Sequence, residues 1–191
     1  MYVSRCPDDE TYKKIINTLR QGYVDFEGIT RKPNDQVADA LVLETNLGIR
    51  ISDIIRLTTD SFVLDDGIWK ICIKEKKTGK KRIFIVPREV KAFVDEIASK
   101  NYSPYDNRLF NIGTGNVQKY MRLVTLTLGI KDCGTHGLRK KAASEIYEKS
   151  GYDIETVRRF LNHSSVTTSQ RYIARSDRRM EQAISDIVNL A

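Results

Sequence analysis

Residues 61–87 read SFVLDDGIWKICIKEKKTGKKRIFIVP, and here the period of the chain changes. SFVLDDG and IWKICIK read as strands. Ile71 and Ile73 fall on one face, with Lys70 and Lys74 flanking them on the other, as a half-buried strand requires. KRIFIVP makes a third strand, stopped by Pro87. The glycine-containing EKKTGK between the last two closes a turn, so the segment predicts a small three-stranded antiparallel sheet.

On both sides of this segment the period is helical. Asp8 and Asp9 precede the stripe Tyr12, Ile15, Ile16 and Leu19. A polar turn, GITRKPND, leads to a second helix buried along Val37, Ala40, Leu41 and Leu43, where Asp39 and Glu44 can face water. Gly48 ends that helix and the short RISDIIRL follows, anchored by Ile51, Ile54 and Ile55. After Pro87 come a stripe of Val90, Phe93, Val94 and Ile97, then a helix capped by Thr114 with Val117, Met121 and Val124. Thr135 introduces a helix with Leu138, Ala142 and Ile146, and Asp153 caps Ile154, Val157 and Leu161. Asp177–Leu190 is helical again, with Met180, Ala183, Ile184 and Ile187 as its stripe. The fold class is α+β, mostly α-helical with one small sheet.

The bulk properties exclude several classes. A chain of 191 residues can bury a core without disulfides or a structural metal. No apolar run exceeds a handful of residues, and MYVSRCPDDE lacks the apolar stretch of a signal peptide. A soluble, cytoplasmic protein is expected. Cys6, Cys72 and Cys133 are odd in number and form no C-x-x-C, so we expect three reduced thiols used for packing and no metal site. Lys plus Arg number 32 against 25 Asp plus Glu, a net charge of +7 that favours a polyanion as partner.

Four short motifs stand apart from the core pattern. In G-I-R-I-S-D, Arg50 and Asp53 have i, i+3 spacing, so the carboxylate can brace the guanidinium. Taken alone this is also an ordinary surface ion pair. The hairpin carries Lys74, Lys76, Lys77, Lys80, Lys81 and Arg82 within nine residues, a cationic turn that attracts DNA with or without chemistry. H-G-L-R places His136 and Arg139 on one face at a helix start, where an anion is favoured. By itself it reads equally as a capping histidine and a solvated arginine. Finally His163 lies in L-N-H-S-S, and Tyr172 follows nine residues later in Q-R-Y-I.

In this order and spacing the four motifs resemble the tyrosine recombinase (phage integrase) family, from about Gly48 to Ile173. The resemblance implies the catalytic-domain fold of that family and carries its catalytic set onto this chain. Arg50 matches the first arginine and Asp53 its acidic neighbour. Lys77 matches the hairpin lysine, with Lys76 and Lys80 close enough to compete. His136 and Arg139 match the H-x-x-R pair, His163 the third-position histidine, and Tyr172 the nucleophile. Lys74, Lys76, Lys80, Lys81 and Arg82 remain as DNA-gripping groups. The implied reaction cuts and rejoins DNA through a 3′-phosphotyrosyl intermediate, with no cofactor.

Elementary chemistry points the same way. A phenol is ionised to only about one part in a thousand at pH 7, so Tyr172 needs a base, for which His136 is a candidate. Arg50 and Arg139 can clamp the nonbridging oxygens, and His163 can add a hydrogen bond to the phosphate. A 5′ alkoxide leaves poorly unless protonated, a task for Lys77. A metal nuclease would need clustered carboxylates or close histidines, and the two histidines are 27 positions apart. Type IB topoisomerases share the Arg, Lys and Tyr chemistry, but the H-x-x-R and L-x-H-x-S forms resemble recombinases more. A DNA-binding module without catalysis would not need Tyr172 at that offset.

The expected organisation is a catalytic domain over residues 1–175 and a helical tail over 176–191. That tail either folds back on its own core or docks on a neighbouring subunit. With one or two helices before Gly48, the family's N-terminal DNA-binding domain is expected to be absent and DNA affinity weak and salt-sensitive. The partner is double-stranded DNA, with a monomer free, a tetramer on DNA and DNA-bending proteins as accessories. No membrane partner is expected, and localisation is nucleoid-associated when DNA is bound.

Overall fold

Asp8 opens the first helix by accepting a hydrogen bond from the Thr11 amide at 2.8 Å, so α1 (Asp9–Gln21) starts at the acidic pair. Its stripe of Ile15, Ile16 and Leu19 is buried. The computed structural model describes residues 6–104 and 106–170. Tyr172 and the tail 176–191 lie outside the described residues.

The polar stretch after α1 is a hairpin rather than a plain turn. β1 (Tyr23–Val24) pairs antiparallel with β2 (Thr30–Arg31). Asp25 organises it, accepting from the Glu27 and Ile29 amides at 3.0 and 2.9 Å and from Arg31 Nε at 2.7 Å. Two-residue strands are too short to leave an alternation in the sequence.

Asn34 caps α2 (Asp35–Leu47), which ends at Gly48 with φ +56°. This helix is the centre of the molecule, packed against α1 and the later helices α4 (Arg88–Ser99), α5 (Thr114–Thr127) and α6 (Thr135–Lys149). That position overturns one expectation: Asp39 and Glu44 do not face water, being 0% and 2% exposed. Asp39 is compensated by Arg20 at 2.5 Å, Lys100 at 2.8 Å and the Tyr102 hydroxyl at 2.9 Å. Only Asp35 at the start of α2 and Asn46 near its end are exposed, and the faces that carry Asp39 and Glu44 are covered by neighbouring elements.

After α3 (Ile51–Ile54) come β3 (Phe62–Asp65), β4 (Ile68–Lys74) and β5 (Lys81–Ile85), antiparallel in the order β3-β4-β5. Phe62, Ile71 and Phe84 share one register on the inner face. On the outer face Val63, Ile83, Ile85 and Cys72 are exposed. Only Cys133, in the main core, is the packing thiol expected; Cys6 is half-buried, and all three are free.

The rest of the described chain is helical, ending in α7 (Ile154–Phe160) and α8 (Val166–Gln170). Asp153 caps α7 through the Glu155 and Thr156 amides. Thr114 and Thr135 are not caps but the first helical residues, because Gly113 and Gly134 hold the cap positions. The main core runs from α1 through α2 and α5 to Leu138 of α6. Ala143, Val157 and Leu161 form a smaller cluster between α6 and α7. No helix among the described residues is long and apolar enough to cross a membrane.

Candidate active site

Gly48 turns the chain so that Arg50 becomes the N-cap of α3, with φ −64° and ψ 142°. The left-handed φ at Gly48 suits glycine, and an added Cβ would stand 2.3 Å from the Phe160 ring. Arg50 is therefore outside the helix, where i, i+3 geometry does not apply. Its Nη1 donates to Glu75 Oε2 at 2.8 Å, so Glu75 rather than Asp53 braces it. Asp53 instead accepts the Lys76 amide at 2.8 Å and lies 3.8 Å from Arg56. It steadies the lysine turn, not the guanidinium.

That turn joins β4 to β5. Glu75 N–H donates to the Lys80 carbonyl at 3.0 Å, and Gly79 N–H to the Glu75 carbonyl at 2.9 Å, with Gly79 at φ +67°. Lys74, Lys76, Lys77, Lys80 and Lys81 are exposed. Arg82 is the exception and corrects the reading of it as a DNA-gripping group: it is 3% exposed. Strand alternation turns it inward with Phe84, and its guanidinium lies 4.9 Å from the Phe84 ring centre and 5.9 Å from that of Phe160. It pairs with Glu75 at 3.3 Å and donates to the carbonyls of Leu47 at 3.1 Å, Gly48 at 3.3 Å and Phe160. Burial and the charge of Arg139 push its pKa down to about 10, against the pull of Glu75.

The first turn of α6 carries His136 and Arg139, and the two separate. His136 is at the exposed rim, whereas Arg139 is 0% exposed and lies beneath. Arg139 Nη2 donates to the Leu161 carbonyl at 2.9 Å and stands 3.5 Å from His163 Nε2. His163, in the loop between α7 and α8, places its Nδ1 3.1 Å from Ser169 Oγ. Both imidazoles have pKa values pushed down to about 4. Loss of hydration is the main cause, followed by the charge of Arg139, with Lys140, Arg50 and Lys77 adding for His136 and Arg50 for His163.

These elements converge on one open cavity of about 440 Å³. Arg50, Lys77, Lys80, His136 and His163 all line it, with Thr114 and Thr135 at its edge. Thr114 and Thr135 begin α5 and α6, so the positive ends of two helix dipoles border the same space, and glycine caps offer no side chain to close either first turn. Arg139 does not line the cavity but stands 3.5 Å from the His163 ring that does. Glu44 also borders the cavity; its Oε1 accepts the Ile51 amide at 3.0 Å, and burial pushes its carboxyl well above the usual range. A cavity walled by two lysines, an arginine and two neutral imidazoles suits a phosphate group with a proton to move.

Sequence reasoning missed Glu44, Glu75 and Ser169. Glu75 sits amid lysines and reads as one more charge in a solvated turn. The nine-residue offset of Tyr172 from His163 is the motif that has no structural counterpart among the described residues.

The phage integrase family model matches residues 9–179. The probable integrase/recombinase YoeC of Bacillus subtilis is 31% identical over 134 residues, covering 67% of this chain and 71% of that protein. Tyrosine recombinase XerC of Caldanaerobacter subterraneus is 25% identical over 186 residues, covering 92% of this chain and 49% of the relative. Among solved structures, XerH site-specific recombinase in a post-cleavage complex with palindromic difH substrate superposes with a TM-score of 0.70. The identity there is 22%, over 94% of this chain and 52% of that one, a likeness of fold. The chain thus spans about half the length of the XerC and XerH proteins it matches.

Proposed function

This chain belongs to the phage integrase family, and on that premise we propose that it cuts and rejoins double-stranded DNA at specific sites through a 3′-phosphotyrosyl intermediate. The observation that carries this reading is the meeting of Arg50, Lys77, His136 and His163 around one cavity, with Arg139 beside His163. A DNA-binding module has no use for two imidazoles gathered among that many cations.

The Tyr172 oxygen attacks the scissile phosphorus, forming an O–P bond as the P–O5′ bond breaks. Its proton passes to His136, whose depressed pKa keeps the ring neutral at pH 7; the arriving phosphate raises that pKa again. Arg50 binds a nonbridging oxygen, and Arg139, steadied by His163, adds charge. The Lys77 ammonium gives a proton to the departing 5′ oxygen. Attack on the phosphotyrosine by a 5′ hydroxyl, with the proton transfers reversed, reseals a strand.

Residues 1–175 are the catalytic unit in this reading, and 176–191 form a helix that docks on a neighbouring subunit of a DNA-bound tetramer. The free protein is a monomer acting in the cytoplasm on nucleoid DNA, aided by DNA-bending proteins. Deleting residues from Ser176 onward impairs assembly on DNA more than folding; equal loss of both favours a folded-back tail.

The deciding experiment incubates the protein with a nicked suicide duplex carrying the target site in the presence of EDTA. Wild type forms a covalent protein–DNA adduct and Tyr172→Phe forms none. Normal binding by wild type without an adduct returns the protein to a binding role.

A further inference from the structure

Glu75 has no counterpart among the groups assigned to the reaction, yet its side chain is fully buried two residues before Lys77. Its Oε2 accepts from Arg50 Nη1 and from Thr78 Oγ1, both at 2.8 Å. Its Oε1 lies 3.3 Å from Arg82 Nη1. Arg82 in turn is bonded to the Leu47 and Gly48 carbonyls, which lead into Arg50, and to the Phe160 carbonyl near His163. One carboxylate thus ties the arginine, the lysine turn and, through Arg82, the histidine loop.

Resting on the proposed reaction, we infer that Glu75 is a positioning residue that holds the Lys77 turn in register with Arg50, so that the ammonium meets the 5′ oxygen of the phosphate that Arg50 clamps. Lys77 is exposed and sits in a turn between strands. The turn is fixed to the body by the bonds of Glu75 to Arg50 and Thr78 and by the Lys76 amide on Asp53. The backbone of Arg50 is set independently as the N-cap of α3, so what Arg50 loses with Glu75 is one guanidinium partner and not its place. Loss of Glu75 therefore releases Lys77 more than it releases Arg50, and the deficit falls on leaving-group protonation.

The test compares two suicide substrates, one with the normal 5′ oxygen and one with sulfur at that bridging position. A thiolate leaves without a proton donor, so it bypasses Lys77. Glu75→Ala cleaves the oxygen substrate about a hundredfold more slowly than wild type and the sulfur substrate at nearly the wild-type rate, with DNA affinity little changed. Thr78→Val removes one hydrogen bond to the Glu75 carboxylate while leaving its pairs with Arg50 and Arg82 in place, and shows the same pattern with a loss of about tenfold on oxygen. Equal losses on both substrates, or no loss on either, overturn the inference. Amide hydrogen exchange across residues 75–80 reads the tie without DNA and rises in both variants. If wild type forms no adduct, the recombinase reading fails and the exchange alone decides: unchanged rates in Glu75→Ala overturn the positioning role.

Discussion

Arg139 Nη2 stands 3.5 Å from His163 Nε2, with Ser169 Oγ 3.1 Å from the opposite ring nitrogen. A guanidinium only donates, so Nε2 accepts, and the neutral ring carries its proton on Nδ1 toward Ser169. In this state His163 orients the arginine rather than offering a donor to phosphate. Nitrogen-15 chemical shifts of the imidazole are expected to report the Nδ1–H tautomer in the free protein. Ser169→Ala should shift the balance toward Nε2–H and slow adduct formation by about three- to tenfold. An Nε2–H tautomer in wild type contradicts the assignment.

Titration follows from the same surroundings. His136 and His163 have folded pKa values of about 4, below the ordinary value of 6.5. The unfolded chain then binds more protons than the folded one between these limits. Their contribution to stability is full above pH 6.5, falls as pH drops through the window and flattens below about pH 4. The buried His163 accounts for a loss on the order of 3 kcal/mol. Neither ring is expected to titrate by NMR between pH 8 and 5.5, and a midpoint near 6.5 for either would refute this.

Arg82 and its lysine neighbours should separate cleanly. Arg82→Met leaves Glu75 with Arg50 as its remaining guanidinium and strips three carbonyls of a donor. The expected cost is about 3–5 kcal/mol, or roughly 10 °C in melting temperature. Lys74→Ala and Lys81→Ala should leave stability within about 0.5 kcal/mol. Each phosphate that such a lysine no longer neutralises lowers the salt slope of DNA binding by about 0.9. A stable Arg82→Met protein with weakened DNA binding would restore Arg82 to the DNA surface.

Gly48→Ala forces a side chain into left-handed backbone and into the Phe160 ring. We expect a loss of at least about 2 kcal/mol in denaturant unfolding. Phe160→Leu should recover part of it in the double variant, because only the clash, not the backbone strain, is relieved. Simple additivity of the two changes would show that the ring does not press on Gly48.

Much of this fold was legible in order. The alternation around Ile71 and Ile73 and the stripe of Ile15, Ile16 and Leu19 are local repeats, and each survives into the structure because one face of its element is buried. The β1–β2 hairpin had no such signal, being held by Asp25 rather than by a repeating face. The motifs around Arg50, Lys77, His136, Arg139 and His163 were readable as spacings. Their convergence was not, since these residues span more than a hundred positions and meet only when helices pack.

Charge was the least readable property. Asp39, Glu44, Glu75 and Arg82 look in the chain like any other solvated groups, and all four are buried. Periodicity and motif spacing determined most of the element types and singled out the candidate groups, because both depend on neighbours a few residues away. Which charges are withdrawn from water, which partner each one takes and what that does to its protonation were decided only by the tertiary structure. Hydration is lost to atoms that arrive from anywhere in the chain.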